Sequence, residues 1–314
     1  MAKRFRKLRH TLGYYIIRLG VFSIHFLPVA LGRTLFGFIG EMAITFGGRD
    51  LSYARANIQK QYPEKTKREV RLFLRKMYHT LGVSFFDGIK LPSLPKKQFF
   101  KYLQFQNLDI LDKAYSNDKG VVILTGHMSA FEIQPPAFSL AGYSVFTVGA
   151  PLFDKRVDTL IASLRERHGV TYFQRGNAAR KIIRLLRKRY GFGALIDQDA
   201  TNDGVFVPFL GELAFTPSAP LQMALKYDIP VVISLLHRDS NGQYILTLQG
   251  PIIPPNSGDL KKDLLDLARI FNDQYSEHIL QYPEQWVWMH RRWKRKPEDF
   301  PHLPSVTDYL PKES

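Results

Sequence analysis

The sequence contains no cysteine in 314 residues, which rules out disulfides, thiolate-bound zinc and a thiol nucleophile. Acidic residues are scarce: 28 Asp and Glu stand against 44 Lys and Arg, a formal net charge of +16. An excess of that size asks for an anionic partner, whether nucleic acid, an anionic membrane surface or an acidic protein. The sequence also lacks a phosphate-binding glycine loop, an RNA-binding signature and a helix-turn-helix pattern, which argues against nucleic acid. It has no Gly-x-Ser-x-Gly elbow, so it is not a serine hydrolase of the usual α/β type. Nor does it have an apolar run free of charge. Arg18 interrupts residues 11–27, and Arg33 and Glu41 interrupt Val29–Phe46. The first run falls short of the ~20 residues that span a bilayer, and no small-x-small cleavage site follows it.

With 45% hydrophobic residues, the chain can bury a sizeable core and reads as one large domain plus an appendage. Lys3, Arg4, Arg6, Lys7 and Arg9 precede the first apolar run. The expectation is an uncleaved anchor over residues 1–46 that lies in or dips through the membrane interface, its basic residues against anionic headgroups on the cytoplasmic side. A pair of core helices in a soluble domain is the alternative. Residues 47–95 read as a helical region, in which Val70, Phe73, Leu74, Met77 and Leu81 recur at helical spacing. Leu91-Pro92-Ser93-Leu94-Pro95 closes it. A core over residues 96–296 and a tail over 297–314 complete the division.

Within that core, short apolar runs alternate with amphipathic segments. Strands are expected near residues 104–105, 121–125, 145–148, 170–173, 192–196 and 230–236, with an edge strand at 244–248. Helices are expected over 154–168, 178–189, 216–226 and 259–280. Such alternation predicts an α/β fold with a mainly parallel sheet covered by helices on both faces. Gly204-Val205-Phe206-Val207-Pro208-Phe209-Leu210-Gly211 fits either the lining of an apolar groove or a core strand and turn.

The candidate chemistry lies where strands end. The run Val121 to Thr125 is followed by Gly126 and His127, with Glu132 five residues beyond. On one helix those two side chains would point about 140° apart. They can meet only if His127 sits in the loop and Glu132 reaches back from the helix. A carboxylate on one imidazole nitrogen would then leave the other free to take a proton from a hydroxyl. Ser129-x-x-Glu132 equally fits a capping box, in which Glu132 only bonds the backbone. Arg175 and Asn177, the latter a good N-cap, precede a helix whose Arg180, Arg184, Arg187 and Lys188 share one face. Asp197-Gln198-Asp199 falls at another strand end; it has too few neighbouring ligands for a metal, so structural hydrogen bonding is expected. Near the end, Trp286, Trp288 and Trp293 alternate with Arg291, Arg292, Lys294 and Arg295, a pairing typical of membrane interfaces.

Taken in order, five of these features resemble the late acyltransferases of bacterial lipid A biosynthesis, within the wider glycerolipid and lysophospholipid acyltransferase fold. They are His127-x4-Glu132, Arg175 with Asn177, Asp197-Gln198-Asp199, the 204–211 run and the Pro283 to Lys294 ending. The resemblance runs from the N-terminus to about residue 296. It implies transfer of a fatty acyl chain from acyl carrier protein to a lipid A precursor at the cytoplasmic face of the inner membrane, with no cofactor. His127 would be the general base, oriented by Glu132, and the hydroxyl would attack the thioester directly. Arg175 would stabilise the oxyanion or bind phosphate, and Asn177 and Asp199 would support the site. Arg180, Arg184, Arg187 and Lys188 would meet the acidic carrier or lipid phosphates. Met-Ser-Ala-Phe at 128–131 and Pro135-Pro136 depart from the family pattern and bear on the acceptor. The other readings are an acyltransferase of another glycolipid or a lysophospholipid, with coenzyme A as the donor's carrier, and a basic membrane-binding or nucleic-acid-binding protein without chemistry.

Overall fold

The computed structural model describes residues 2–151, 154–176, 178–199 and 203–309. Its N-terminal third is helical: α1 (Ala2–Phe26), α2 (Val29–Ala43), α3 (Gly48–Gln61) and α4 (Lys67–Lys90). Thr66 starts α4 with a capping box, its hydroxyl accepting from the Glu69 N–H while the Glu69 carboxylate takes the Thr66 N–H. A cap of this kind contributes about 1 kcal/mol. Of the expected stripe, Val70, Phe73, Leu74 and Met77 are buried and Leu81 is half-buried.

Helix α2 packs along α4 and shows how the apolar N-terminal region sits. Gly40 and Gly82 let the two backbones touch: a Cβ on Gly40 would fall 2.1 Å from the Tyr78 carbonyl, and one on Gly82 2.0 Å from that of Phe36. Ion pairs hold both ends of the contact, Arg33 with the buried Asp87 at 2.9 Å and Glu41 with Arg75 and His79. The opposite face of α2 exposes Leu31, Leu35, Phe38, Ile39 and Met42, continued by Phe46. By length and composition Val29–Phe46 is the one candidate for a membrane helix among the described residues.

The remainder alternates strand and helix as expected: α5 (Lys96–Phe99), β1 (Leu103–Gln106), α6 (Asp109–Tyr115), β2 (Val121–Thr125), α7 (Gln134–Ala141), β3 (Val145–Gly149), α8 (Lys155–Arg165), β4 (Thr171–Gln174), α9 (Ala179–Leu186), β5 (Gly191–Leu195), β6 (Gly204–Phe209), β7 (Glu212–Pro217), α10 (Ala219–Tyr227), β8 (Val231–Arg238), β9 (Tyr244–Ile252) and α11 (Leu260–Gln281). Seven strands form one sheet in the order β1-β9-β8-β2-β5-β3-β4. The five from β8 to β4 are mutually parallel; β9 runs against β8, and β1 follows β9. All five residues of β2 are buried, because it lies mid-sheet with helices on both faces. Chain order diverges on either side of β2, so its carboxyl end is a switch point, where open α/β sheets bind ligands.

Two expectations change, and one open choice, that over residues 204–211, falls to the core strand and turn. Residues 244–248 belong to an interior strand, because β1, far away in sequence, pairs alongside β9 and takes the edge. Residues 204–211 form half of the separate β6–β7 hairpin and are core: Val205, Phe206, Val207 and Phe209 are all at or below 1% exposure. Two of the three tryptophans face the core rather than a membrane interface. Trp286 and Trp288 are fully buried, stacked edge to face with centroids 5.0 Å apart.

Candidate active site

Parallel pairing of β2 with β5 builds the centre. Thr125 is registered against Leu195, so two residues further on His127 and Asp197 leave neighbouring strands side by side. Asp197 is fully buried and accepts three hydrogen bonds: from His127 Nδ1 at 2.7 Å, from the His127 backbone N–H at 2.8 Å, and from Trp286 Nε1 at 3.0 Å. Gly126 lies between the pair, and a Cβ there would come within 2.6 Å of the Asp197 Cγ and 2.5 Å of the Tyr275 ring. Only glycine fits.

Burial alone would raise the Asp197 carboxyl, but the His127 charge and the three donors more than offset it and hold the group at about 2. An ionised carboxylate only accepts, so in neutral His127 the Nδ1 carries the proton and Nε2 is left to take one. That imidazole is 27% exposed and lines a cleft of about 550 Å³.

The C-terminal segment supports this centre from behind. Met128 bridges to Trp286, and the Gln285 carbonyl takes the Ser129 N–H at 2.8 Å. The Gln285 side chain in turn clamps both backbone groups of Arg238 at 2.8 Å. Beneath the cleft Gln134 ties the sheet to the following turn, donating to Thr125 at 3.0 Å and accepting from Ser234 at 2.6 Å.

Glu132 makes no hydrogen bond to His127 among the described residues. It lies in the short turn Phe131–Ile133 and grips Arg165 of α8 with both oxygens, one contact at 3.0 Å. No capping box forms with Ser129 either. The reason is topological. Five residues of turn carry Glu132 across the cleft towards α8, whereas the β5 terminus already stands beside the imidazole. Glu132, Arg165 and Arg175 line the same cleft as His127. Phe131, Glu132 and Arg165 also border a second, apolar cavity of about 330 Å³ between α4 and α8, lined by Leu81, Phe85, Gly88 and Leu164.

The Asp199 side chain is 4% exposed and paired with Arg295 at 3.2 Å, outside the cleft lining. The basic helix ends earlier than expected, at Leu186; Arg180, Arg184, Arg187 and Lys188 are exposed and do not line the cleft. Asn177 lies outside the described residues. Sequence reasoning missed Asp197 as the imidazole's partner and Arg165 as that of Glu132. The signal for Asp197 was its place at the end of a second apolar run. Among the described residues no three His, Asp or Glu side chains stand together as a metal site.

An imidazole and its carboxylate at the ends of adjacent parallel strands, above an open cleft at the switch point, define an α/β enzyme layout. Residues 1–295 match the model of the bacterial lipid A biosynthesis acyltransferases, and the chain belongs to that family and is an acyltransferase. It is 24% identical over 282 residues to a lipid A biosynthesis acyltransferase of Haemophilus influenzae, covering 88% of this chain and 86% of that one. It is similar to the lipid A biosynthesis palmitoleoyltransferase of Escherichia coli K12, 24% identical over 82% of this chain and 83% of the relative. The myristoyltransferase of the same strain is 23% identical over 94% and 91%.

Proposed function

We propose that the protein transfers a fatty acyl chain from an acyl carrier protein thioester to a hydroxyl of a lipid A precursor. His127 Nε2 takes the hydroxyl proton as the oxygen attacks the thioester carbonyl, and Asp197 fixes the tautomer and stabilises the imidazolium. Collapse of the tetrahedral intermediate expels the thiolate, which receives the proton from His127. No acyl-enzyme forms. Arg175 supplies charge for the developing oxyanion, while Glu132 keeps Arg165 at the cleft wall. The single observation that supports this most is the His127–Asp197 pair facing the 550 Å³ cleft in a chain of this family.

The apolar cavity beside α4 takes the acyl chain, and exposed Arg180, Arg184, Arg187 and Lys188 complement an acidic carrier. A coenzyme A donor is the competing reading, distinguished by offering both thioesters. Residues 1–46 hold the enzyme to the cytoplasmic face of the inner membrane, with the outer face of α2 in the interface. Crossing the bilayer would drag α4, packed along α2, and its exposed Arg71, Arg75 and Lys76 into hydrocarbon.

The test is acyl transfer by detergent-solubilised protein, offered acyl carrier protein thioesters and a tetra-acylated lipid A precursor. Wild type should form product, and His127→Ala should lose ~10²-fold or more in kcat. A fully active His127→Ala would remove the general-base mechanism, and absence of transfer to this acceptor by wild type would remove the acceptor.

A further inference from the structure

A second polar basin adjoins the cleft, sharing Gln198 with it, and its cations Arg49, Arg291 and Lys294 do not line the cleft. It has a volume of about 350 Å³ and is formed by the start of α3 and the C-terminal segment, parts of the chain more than 230 residues apart. Arg49, Arg291 and Lys294 bring three cations to its walls. Two carboxylates are also there: Asp50, and Asp199, which Arg295 already engages at 3.2 Å.

The basin is held in shape. Asn57 of α3 donates to the carbonyls of Trp288 and His290 at 2.8 and 2.9 Å, and the Arg291 guanidinium lies over the Tyr53 ring at 5.1 Å. The run His290-Arg291-Arg292-Trp293-Lys294 is two-sided. Arg292 is fully buried on the Phe215 carbonyl and Thr216, whereas Arg291 and Lys294 are exposed. A merely solvated basic run would not need that split.

The Gln198 and His290 side chains lie between the basin and the reacting centre. Gln198 lines both spaces and donates to His290 Nε2 at 2.6 Å, and the His290 and His127 rings are 5.7 Å apart. A group anchored in the basin is thus one ring away from the nucleophile's proton acceptor.

We propose that this basin binds a phosphate group carried by one of the two substrates and so sets the distance between that phosphate and the reacting atom. The proposal rests on the acyl-transfer reading. An Arg fork plus a lysine suits a phosphate oxyanion, whether a monoester or a diester. The phosphate comes either from the sugar headgroup of the glycolipid acceptor or from the pantetheine arm of the donor.

Steady-state kinetics of the full chain in detergent, wild type beside Arg291→Gln/Lys294→Gln, separates the two sources. One arm offers the acceptor with and without its phosphates. The other offers the carrier thioester against an acyl-pantetheine thioester lacking phosphate. Two lost charge-assisted contacts should raise KM on the order of 10-fold to 100-fold for the phosphate-bearing substrate in one arm, with kcat nearly unchanged and no effect on its phosphate-free counterpart. An unchanged KM in both arms, or an equal rise with and without phosphate, overturns the proposal. Should wild type transfer nothing, binding still decides: micelles doped with phosphorylated glycolipid should retain wild type better than dephosphorylated ones and better than they retain the double variant. The same comparison with immobilised acyl-phosphopantetheine against acyl-pantetheine covers the donor, and equal retention in both comparisons overturns the basin's role independently of the reaction.

Discussion

Asp197 grips His127 at two points, one oxygen accepting from the ring Nδ1 and the other from the backbone N–H of the same residue. Ring and backbone are therefore positioned by one buried group, and among the described residues no other side chain does this for His127. Asp197→Asn keeps the shape but no longer demands a proton on Nδ1. We expect kcat to fall on the order of 10²-fold to 10⁴-fold, as when a triad carboxylate is replaced by its amide. Glu132→Gln should cost much less, because it weakens a contact to Arg165 rather than to the imidazole. Measuring both variants side by side checks the assignment; a larger loss for Glu132→Gln would reverse it.

The difference between those two carboxylates also marks the limit of the sequence. Periodicity and composition made the strands around His127 legible, down to the placing of Asp197 at a strand end. What could not be read was which strands are neighbours. The pairing of β2 with β5 brings together residues 70 apart, and the pairing of β1 with β9 turned an expected edge strand into an interior one. Local pattern does not encode such contacts. For the same reason the tryptophans read as interfacial: beside Arg and Lys they fit that composition, whereas the fold turns Trp286 inward to bond Asp197.

Acid should destabilise the fold in two stages. Burial, with His237 beside it, lowers His278 from 6.5 to about 4. The folded state then refuses a proton that the unfolded chain accepts, so stability present above pH 6.5 drains away as pH falls towards 4. By linkage the loss is roughly 3 kcal/mol. Asp197, held at about 2 against 3.8, adds a second loss only between pH 3.8 and 2. Denaturant unfolding from pH 7.5 to 4.5 should show the first stage in wild type and much less of it in His278→Gln. Parallel curves for the two proteins would exclude His278 as its source.

Membrane attachment should be separable from folding. Leu35 and Phe38 are exposed on the face of α2 opposite α4; if that face meets lipid as proposed, Leu35→Glu/Phe38→Glu removes two apolar contacts, each worth about 2 kcal/mol if fully buried. Sedimentation with anionic vesicles should show a several-fold drop in bound protein, with thermal unfolding in detergent close to wild type. Gly40→Leu should do the reverse of a surface change, forcing α2 off the Tyr78 carbonyl and unfolding the N-terminal helices. Undiminished vesicle binding by the double variant would mean that the face of α2 is not what meets lipid.

Acyl-chain selection offers the sharpest test of the apolar cavity. Gly88 lines it from α4, and a Cβ there would sit 3.5 Å from that of Glu132, an ordinary contact. Alanine therefore fits without strain, whereas a longer side chain must grow into the roughly 330 Å³ of space. Gly88→Met fills part of that volume with a flexible apolar chain and leaves His127 and Asp197 untouched. Competition between thioesters of different length should then shift towards shorter chains, by up to ~10-fold for each two methylenes excluded, given about 0.8 kcal/mol of burial per methylene. Gly88→Ala should hold nearly the wild-type preference. A Gly88→Met enzyme that slows equally on every chain length would place the acyl group elsewhere, leaving the cleft's own apolar wall as its seat.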